Sequence, residues 1–400
     1  DSGLSAVSYS ILSATHPSTP SPELVDAGSV SAPSLSTHTD TNTGIYFPSA
    51  DQVGIVVGGV EVARAKASGS SFYRRNRLKN AGFAVDQRVN SATSRADDVY
   101  GIDCWYTLTQ TAAIAVSQQA LQENGQPYNI RLSQSQAAAQ RMGVAQIVEA
   151  RDSQGDRGKT MTLSARVRIS NSQAVRYAIL EWTGTADTVT SDVVNDWTSG
   201  TYTAGNFFLG ASLTVTAVGS ITPSANTWTA ITALNGTAGS STNNWVVLIW
   251  TEGTAAQNVT LDVGLVQLEP GSVATDFEYQ DYQQNVLDCY RYFWLVKDEA
   301  SGNHVVTSGF SISTTVGHFP YRFHTRMRIA PTVATSDVTG FAAVTGAATG
   351  IATTNLTFSN ESPTDVLFIA TVAAGLTTGQ GSYIYVQNSN AANITGTSEL

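Results

Sequence analysis

The chain has 400 residues, of which 21 are basic and 31 acidic, for a formal net charge of −10. That excess of acid disfavours a generic nucleic-acid or anionic-membrane surface, and the length asks for two or three domains instead of one. Charged residues make up 13% against 42% hydrophobic; Ser, Thr, Asn, Gln, Ala and Gly replace the missing charge, which suits β-sheet surfaces and tight turns better than charged helix faces.

Residues 1–38 are rich in Ser, Thr, Pro and Ala, and four prolines between Pro17 and Pro33 rule out a long helix or a central strand there. This is an extended arm or linker, ordered where it lies on a neighbour. Its first residues, DSGLSAVSYS, have neither a basic nor an apolar signal region. The chain opens on Asp1 instead of Met, so the numbering is expected to begin inside a longer or processed chain.

Residues 39–67 contain TDTNTGIYFPSADQVGIVVGGVEVAR, an alternating run broken by Gly58-Gly59. It reads as a β-hairpin, and an isolated hairpin is marginal in water. Another domain or other copies of the chain must cover its apolar face. Residues 68–80 look like a hinge carrying Arg74, Arg75, Arg77 and Lys79, a basic cluster expected to be solvated or paired with acids of a neighbouring subunit.

From 81 to 282 the pattern is short strands between turns. MTLSARVRI (161–169) alternates with period two; AVRYAILEW, SLTVTAV, TWTAITAL, NWVVLIW and NVTLDVGLVQLE follow, separated by Gly, Ser, Asn and Thr. GVAQIVEA (143–150) fits this series as a strand. Such spacing predicts a β-sandwich of jelly-roll type. Residues 283–400 open with an aromatic-dense segment and return to strands, predicting a second, smaller β-sandwich-like domain. The chain is therefore expected to be mostly β.

Chemistry is sparse. Cys104 and Cys289 are too few for a disulfide framework; they could form one bridge, with free buried thiols the preferred reading. No apolar run approaches the ~20 residues of a membrane span, and no membrane insertion is expected. His318 and His324 share a strand face without a third ligand nearby. Asp152, Asp156, Asp187 and Asp192 lie in turns and are candidates for a structural calcium ion, although turn formation explains them without metal. No other cofactor is implied. No nucleophile elbow, phosphate loop or zinc-protease motif is present, so an enzyme is not expected. Sugar rings present apolar C–H faces to aromatic side chains, with amides and carboxylates as partners. Trp197 and Tyr202, with Asn195, Asp196 and Asn206, sit in the polar stretch NDWTSGTYTAGN and are the candidate glycan-binding residues. The alternative is that Trp197 caps the end of the sandwich. Trp182, Trp245 and Trp250 lie in strand patterns and are assigned to the core.

The segment 40–64, with SAPSL upstream at 31–35, resembles a motif that precedes the globular head in bacteriophage fibre and structural proteins. A second series, RLKNAGFAVDQR (77–88), YNIRLSQS, AQIVEARDSQGDRGKTMTLSARVR and VGLVQLEPGSVATDFEYQDYQQNVLDCYRYF, is similar to the carbohydrate-binding-module-like jelly roll of phage tail fibres and other virion appendages. The closing FHTRMRIAPTV and TSEL are also like the distal ends of such proteins, which implies that Leu400 is the natural C-terminus.

The resemblance implies a homotrimeric fibre or appendage on the virion surface, with residues 39–67 as a trimerising collar. It further implies other virion proteins held through the N-terminal arm, and host-surface polysaccharide as the ligand. Two alternatives stay open: a purely structural head-fibre or capsid-decoration protein, and a polysaccharide depolymerase. Nucleic acid is not an expected partner.

Overall fold

The computed structural model describes residues 25–50, 52–66, 74–88, 93–120, 123, 125–297, 304–346, 349–387 and 392–400. The chain divides into two units, residues 1–74 and 75–400. Residues 1–24 of the predicted arm, residue 67 of the predicted collar and residues 68–73 of the predicted hinge lie outside the described residues.

In the first unit, β1 (Leu35–Thr37), β2 (Asp40–Tyr46), β3 (Gln52–Val57) and β4 (Val60–Lys66) form one antiparallel meander in that order. The predicted hairpin is thus part of a four-stranded sheet, because the end of the predicted arm pairs with β2. Gly58 and Gly59 turn the chain with φ of 58° and 81°, the paired positive dihedrals of a type I′ turn that glycine adopts without strain. The two faces of the sheet differ. On one, the Tyr46 hydroxyl donates to Glu61, while Arg64 donates to Glu61 Oε1 at 2.7 Å and to Gln52 Oε1 at 3.0 Å. On the other, Leu35, Ile45, Val53, Ile55 and Val57 are each between 36% and 52% exposed. Leu35, Ile45 and Ile55 are direct cross-strand neighbours.

The second unit begins by packing residues 75–88 into a sandwich, with Leu78 and Phe83 fully buried. Its strands are β5 (Thr93–Arg95), β6 (Val99–Ile102), β7 (Trp105–Thr109), β8 (Ile114–Gln119), β9 (Asn129–Ser133) and β10 (Met142–Val148). A short helix α1 (Ala150–Ser153) leads to β11 (Thr160–Ile169), β12 (Val175–Trp182), β13 (Leu213–Ile221), β14 (Thr229–Thr237), β15 (Asn244–Thr251) and β16 (Thr260–Pro270). They form two six-stranded sheets, ordered β13-β12-β15-β10-β7-β6 and β14-β11-β16-β9-β8-β5. This is the jelly roll.

In β11, Met161, Leu163, Val167 and Ile169 point into the core while Ser164, Arg166 and Arg168 stay half-exposed, the alternation of a strand with one wet face. In β15 every residue is buried. Trp245, Val247 and Ile249 face the sandwich core, whereas Val246, Leu248 and Trp250 face a second apolar cluster outside the sheet.

Two residues of the expected basic hinge have other partners than those foreseen. Arg77 forks onto buried Asp156 at 2.6 and 2.8 Å, and Lys79 pairs with Asp152 at 3.0 Å. Both bonds lie inside this unit of the same chain, since 75–80 has already entered the sandwich.

Helix α2 (Tyr282–Tyr290) starts at Asp281, whose side chain accepts from Gln283 N at 2.9 Å, a standard N-cap. Beyond it come β17 (Phe293–Lys297), β18 (His304–Ser311), β19 (Val316–Arg322), β20 (Thr332–Thr335), β21 (Phe341–Thr345), β22 (Ile351–Ser359), β23 (Asp365–Val372), β24 (Gly381–Val386) and β25 (Asn393–Thr397). The sandwich-like expectation takes the form of a closed barrel, β18-β19-β23-β22-β21-β24, beside a three-stranded sheet, β17-β25-β20. Closure leaves the barrel strands without free edges. Trp294 donates to the Tyr321 hydroxyl at 3.0 Å, and Tyr321 stacks on Phe368 at 5.5 Å.

Ion pairs join this region to the jelly roll. Arg291 forks onto Glu149 at 2.6 and 2.8 Å, with the Tyr292 hydroxyl donating to the same carboxylate at 3.1 Å. Cys289 of α2 faces Cys104 at an Sγ–Sγ distance of 4.0 Å, both thiols free and buried. Near the end of the chain, Glu399 lies 2.8 Å from Arg88, and the Tyr100 hydroxyl donates to Leu400 O at 3.0 Å.

Burial raises the Glu399 carboxyl to about 8, with Arg88 opposing and Asp103 adding to the rise. A raised acid favours the fold below its unfolded value near ~4.3, and that advantage is lost as pH climbs through about 8. Between roughly pH 5 and pH 9 the native chain is expected to lose about 2–4 kcal/mol that Glu399→Gln keeps, read from urea midpoints. Parallel pH curves for the two proteins would refute this.

Candidate functional site

The residues singled out from the sequence lie on one connection. Residues 183–212, between β12 and β13, fold over the outer face of the sheet containing β15. Val193, Phe207 and Phe208 are buried there against Tyr106, Leu180, Leu248 and Trp250. Trp197 meets Phe207 edge-on at 5.7 Å. Tyr202 packs on Phe207 at 5.1 Å and Trp250 at 5.9 Å, and the Arg176 guanidinium sits 3.7 Å above its ring. Both rings are half-buried.

Their polar neighbours are exposed and engaged in the loop itself. Asn195 donates to Asn206 O at 2.9 Å, and Asn206 donates to Thr203 Oγ1 at 2.9 Å. Asp196 accepts from Thr198 N at 2.8 Å and from its hydroxyl at 2.7 Å, bonds that hold its carboxyl below the usual range. All five candidates are therefore brought together on one cover, with their ring faces partly used in holding it down.

A second arrangement occupies the outer face of the other sheet. Register places Arg168, Asp262, Arg131 and Ser117 in one row across β11, β16, β9 and β8. The next row on that face holds Arg166 beside Gly264. Arg131 forks onto Asp262 at 2.7 and 2.9 Å, and Arg168 Nη1 lies 3.5 Å from the same carboxylate. Asp262 is 1% exposed, so two cations compensate one buried anion, and the Arg131 guanidinium is held charged by it. Arg166 pairs with Glu123 from the β8–β9 connection.

Gly264 lies in this face with Asn129 and Trp228 close over it. A Cβ there would lie 3.4 Å from Asn129 Cβ and 3.8 Å from the Trp228 ring. Trp228, just before β14, is half-buried at the rim. The result is a polar sheet face on which a guanidinium row lies beside Gly264 and the Trp228 ring. None of these residues stood out in the sequence. The available signal was the arginine alternation at 166 and 168, with Asp262 set between apolar neighbours.

The calcium candidates do not gather. Asp152 and Asp156 hold Lys79 and Arg77, and Asp187 accepts from Ala150 N and from Asn244 Nδ2, both at 2.7 Å. Asp192 alone meets other acids, Asp97 and Asp98. Burial, then the charges of Asp192 and Asp97, push Asp98 up to about 6. His318 and His324 do not converge: His318 lies 6.2 Å from the Phe310 ring and His324 lies 5.1 Å from the Tyr290 ring.

No known family profile matches the sequence, and no curated protein does. Among solved structures, the chain is similar to an arabinose-bound MgGH51 α-L-arabinofuranosidase, at 18% identity and a TM-score of 0.30 over 49% of this chain. It spans 26% of that enzyme's length. It is also similar to TmCBM61 in complex with β-1,4-galactotriose, at 10% identity and a TM-score of 0.28, over 50% of this chain and 100% of that one. A third is the C-terminal family 22 carbohydrate-binding module of Clostridium thermocellum Xyn10B, at 12% identity and a TM-score of 0.27, over 47% and 99% of the two chains.

Proposed function

We propose that this chain binds host-surface polysaccharide as a homotrimeric fibre or appendage of a bacteriophage particle. The observation that carries the binding reading is the outer face of the sheet holding β11 and β16: a row of guanidinium donors beside the half-buried indole of Trp228, which lies next to Gly264. An indole face takes the C–H side of a sugar ring, while Arg131, Arg166 and Arg168 offer donors to its hydroxyls. The phage-fibre resemblance of residues 40–64 supplies the particle.

Trimer formation is supported by the first unit. Its exposed Leu35–Ile45–Ile55 stripe is apolar on a small sheet whose opposite face is occupied by the Tyr46 network. Three copies around one axis would bury that stripe and multiply weak sugar contacts through avidity. The N-terminal arm would hold other virion proteins. Asp262 and Glu123 on the arginine face are engaged by arginines, which favours binding over the paired free carboxylates of a glycosidase.

The test is binding of the full chain to host polysaccharide. Trp228→Ala is expected to weaken it about tenfold or more, with Trp197→Ala unchanged; the reverse outcome moves the site to the 183–212 cover. Release of new reducing ends would establish the depolymerase reading. Absence of binding, together with ordered contacts to shell protein, would establish the purely structural one. A monomeric mass in solution overturns the trimer.

A further inference from the structure

Asp103 and Cys104 form the two-residue turn between β6 and β7, closed by the Ile102–Trp105 pair. Cys104 takes a left-handed φ of 69° there, a conformation that suits glycine, asparagine or aspartate and costs a cysteine backbone strain. The turn brings its sulfur to within 4.0 Å of Cys289 Sγ, on a residue 185 positions away. The chain has two cysteines in all, and they meet.

Each thiol is held in place by anchors of its own. On the turn side, the Asp103 carboxylate accepts from Gln87 N at 2.7 Å and from Gln87 Nε2 at 2.6 Å, and Asn80 Nδ2 donates to Asp103 O at 3.1 Å. On the helix side, Arg291 follows Cys289 by two residues and forks onto Glu149. A disulfide is about 2.05 Å long, so closing the gap asks about 1 Å of each sulfur. Cys289 is fully buried, whereas Cys104 keeps 7% of its surface. Cys104 also lines a cavity of about 10 Å³ with Tyr100, Tyr292 and Glu399, close to the space that one water molecule needs.

We propose that Cys104 and Cys289 are a dithiol that closes to a disulfide under oxidising conditions and staples α2 to the jelly roll. A reducing cytosol leaves the pair open. The oxidant class that suits so enclosed a site is a peroxide, since hydrogen peroxide is little larger than water. The Cys104 thiolate attacks one peroxide oxygen and the O–O bond breaks. The sulfur becomes a sulfenic acid, and the leaving oxygen takes the thiol proton and departs as water. The Cys289 thiolate then attacks that sulfur, the S–O bond breaks, and a second water leaves with the Cys289 proton. The pair gives up two electrons and the peroxide takes them. The staple is independent of glycan binding and of the trimer.

The fully reduced chain, treated with graded hydrogen peroxide and then quenched, tests this. Digested without reductant, it should yield the Cys104 peptide joined to the Cys289 peptide, lighter by about 2 Da than the two apart. Thiols titrated in urea should fall from two to none, and dithiothreitol should restore both. The closed form is expected to raise Tm by several degrees, because the bridge spans 185 residues. Cys104→Ser and Cys289→Ser should each remove that rise. The joined peptide is read in the native chain, so the test stands even where a variant folds poorly. Four results overturn the proposal: thiols that survive peroxide or end as sulfinic acids, bridges between chains instead of within one, a closed form with Tm at or below that of the reduced chain, or an equal rise in either variant.

Discussion

Glu149→Gln is expected to destabilise the second unit by about 2–4 kcal/mol, the cost of leaving a largely buried guanidinium without its anion. Glu149 is 6% exposed and takes both prongs of Arg291 together with the Tyr292 hydroxyl. A glutamine keeps the shape but offers one oxygen and no charge, so at least one prong is left unpaired. The figure is set below the range for full burial because the Arg291 side chain is 20% exposed. Urea midpoints measure it. A loss under ~1 kcal/mol would mean that water replaces the carboxylate and that the bridge between jelly roll and α2 is incidental.

Trp250→Ala is expected to cost about 3–5 kcal/mol, the range for truncating a large buried ring. Trp250 stacks on Phe207 at 5.1 Å and 22°, and takes Phe208 edge-on at 5.8 Å. Opposite it in β10 is Gly143, where a Cβ would come within 2.7 Å of Trp250 Cβ, so the two strands approach closely at this position. Removing the ring empties the seat of the 183–212 cover, and proteolysis within the cover should speed up more than elsewhere. Cleavage that stays uniform along the chain would show that the cover is held by its other anchors.

The mostly β architecture was legible because period-two alternation at 161–169 is a local signal, and so was the Gly58-Gly59 turn. Other features were written less openly. The run Trp245–Trp250 lacks alternation, and that absence is the trace of a strand covered on both faces; what covers it is a stretch with no regular strand pattern. The arginine face was not legible at all. Its residues, 131, 166, 168, 228 and 262, meet only through the register of strands remote in sequence. The loop aromatics Trp197 and Tyr202 were visible as residues, but their half-burial against Phe207 depends on tertiary packing. The basic hinge residues misled for a related reason. Arg77 and Lys79 look like a surface cluster until Asp152 and Asp156 fold beside them.

The two facing thiols give the second unit an internal clock. Cys104 belongs to the β6–β7 turn and Cys289 to α2, and burial pushes the Cys289 thiol well up. In the closed form burial shields both sulfurs from an alkylating reagent. Labelling must therefore wait until the helix lifts from the sandwich. Its rate in native buffer counts those departures directly, separating loosening of the α2 contact from unfolding of the strands on either side.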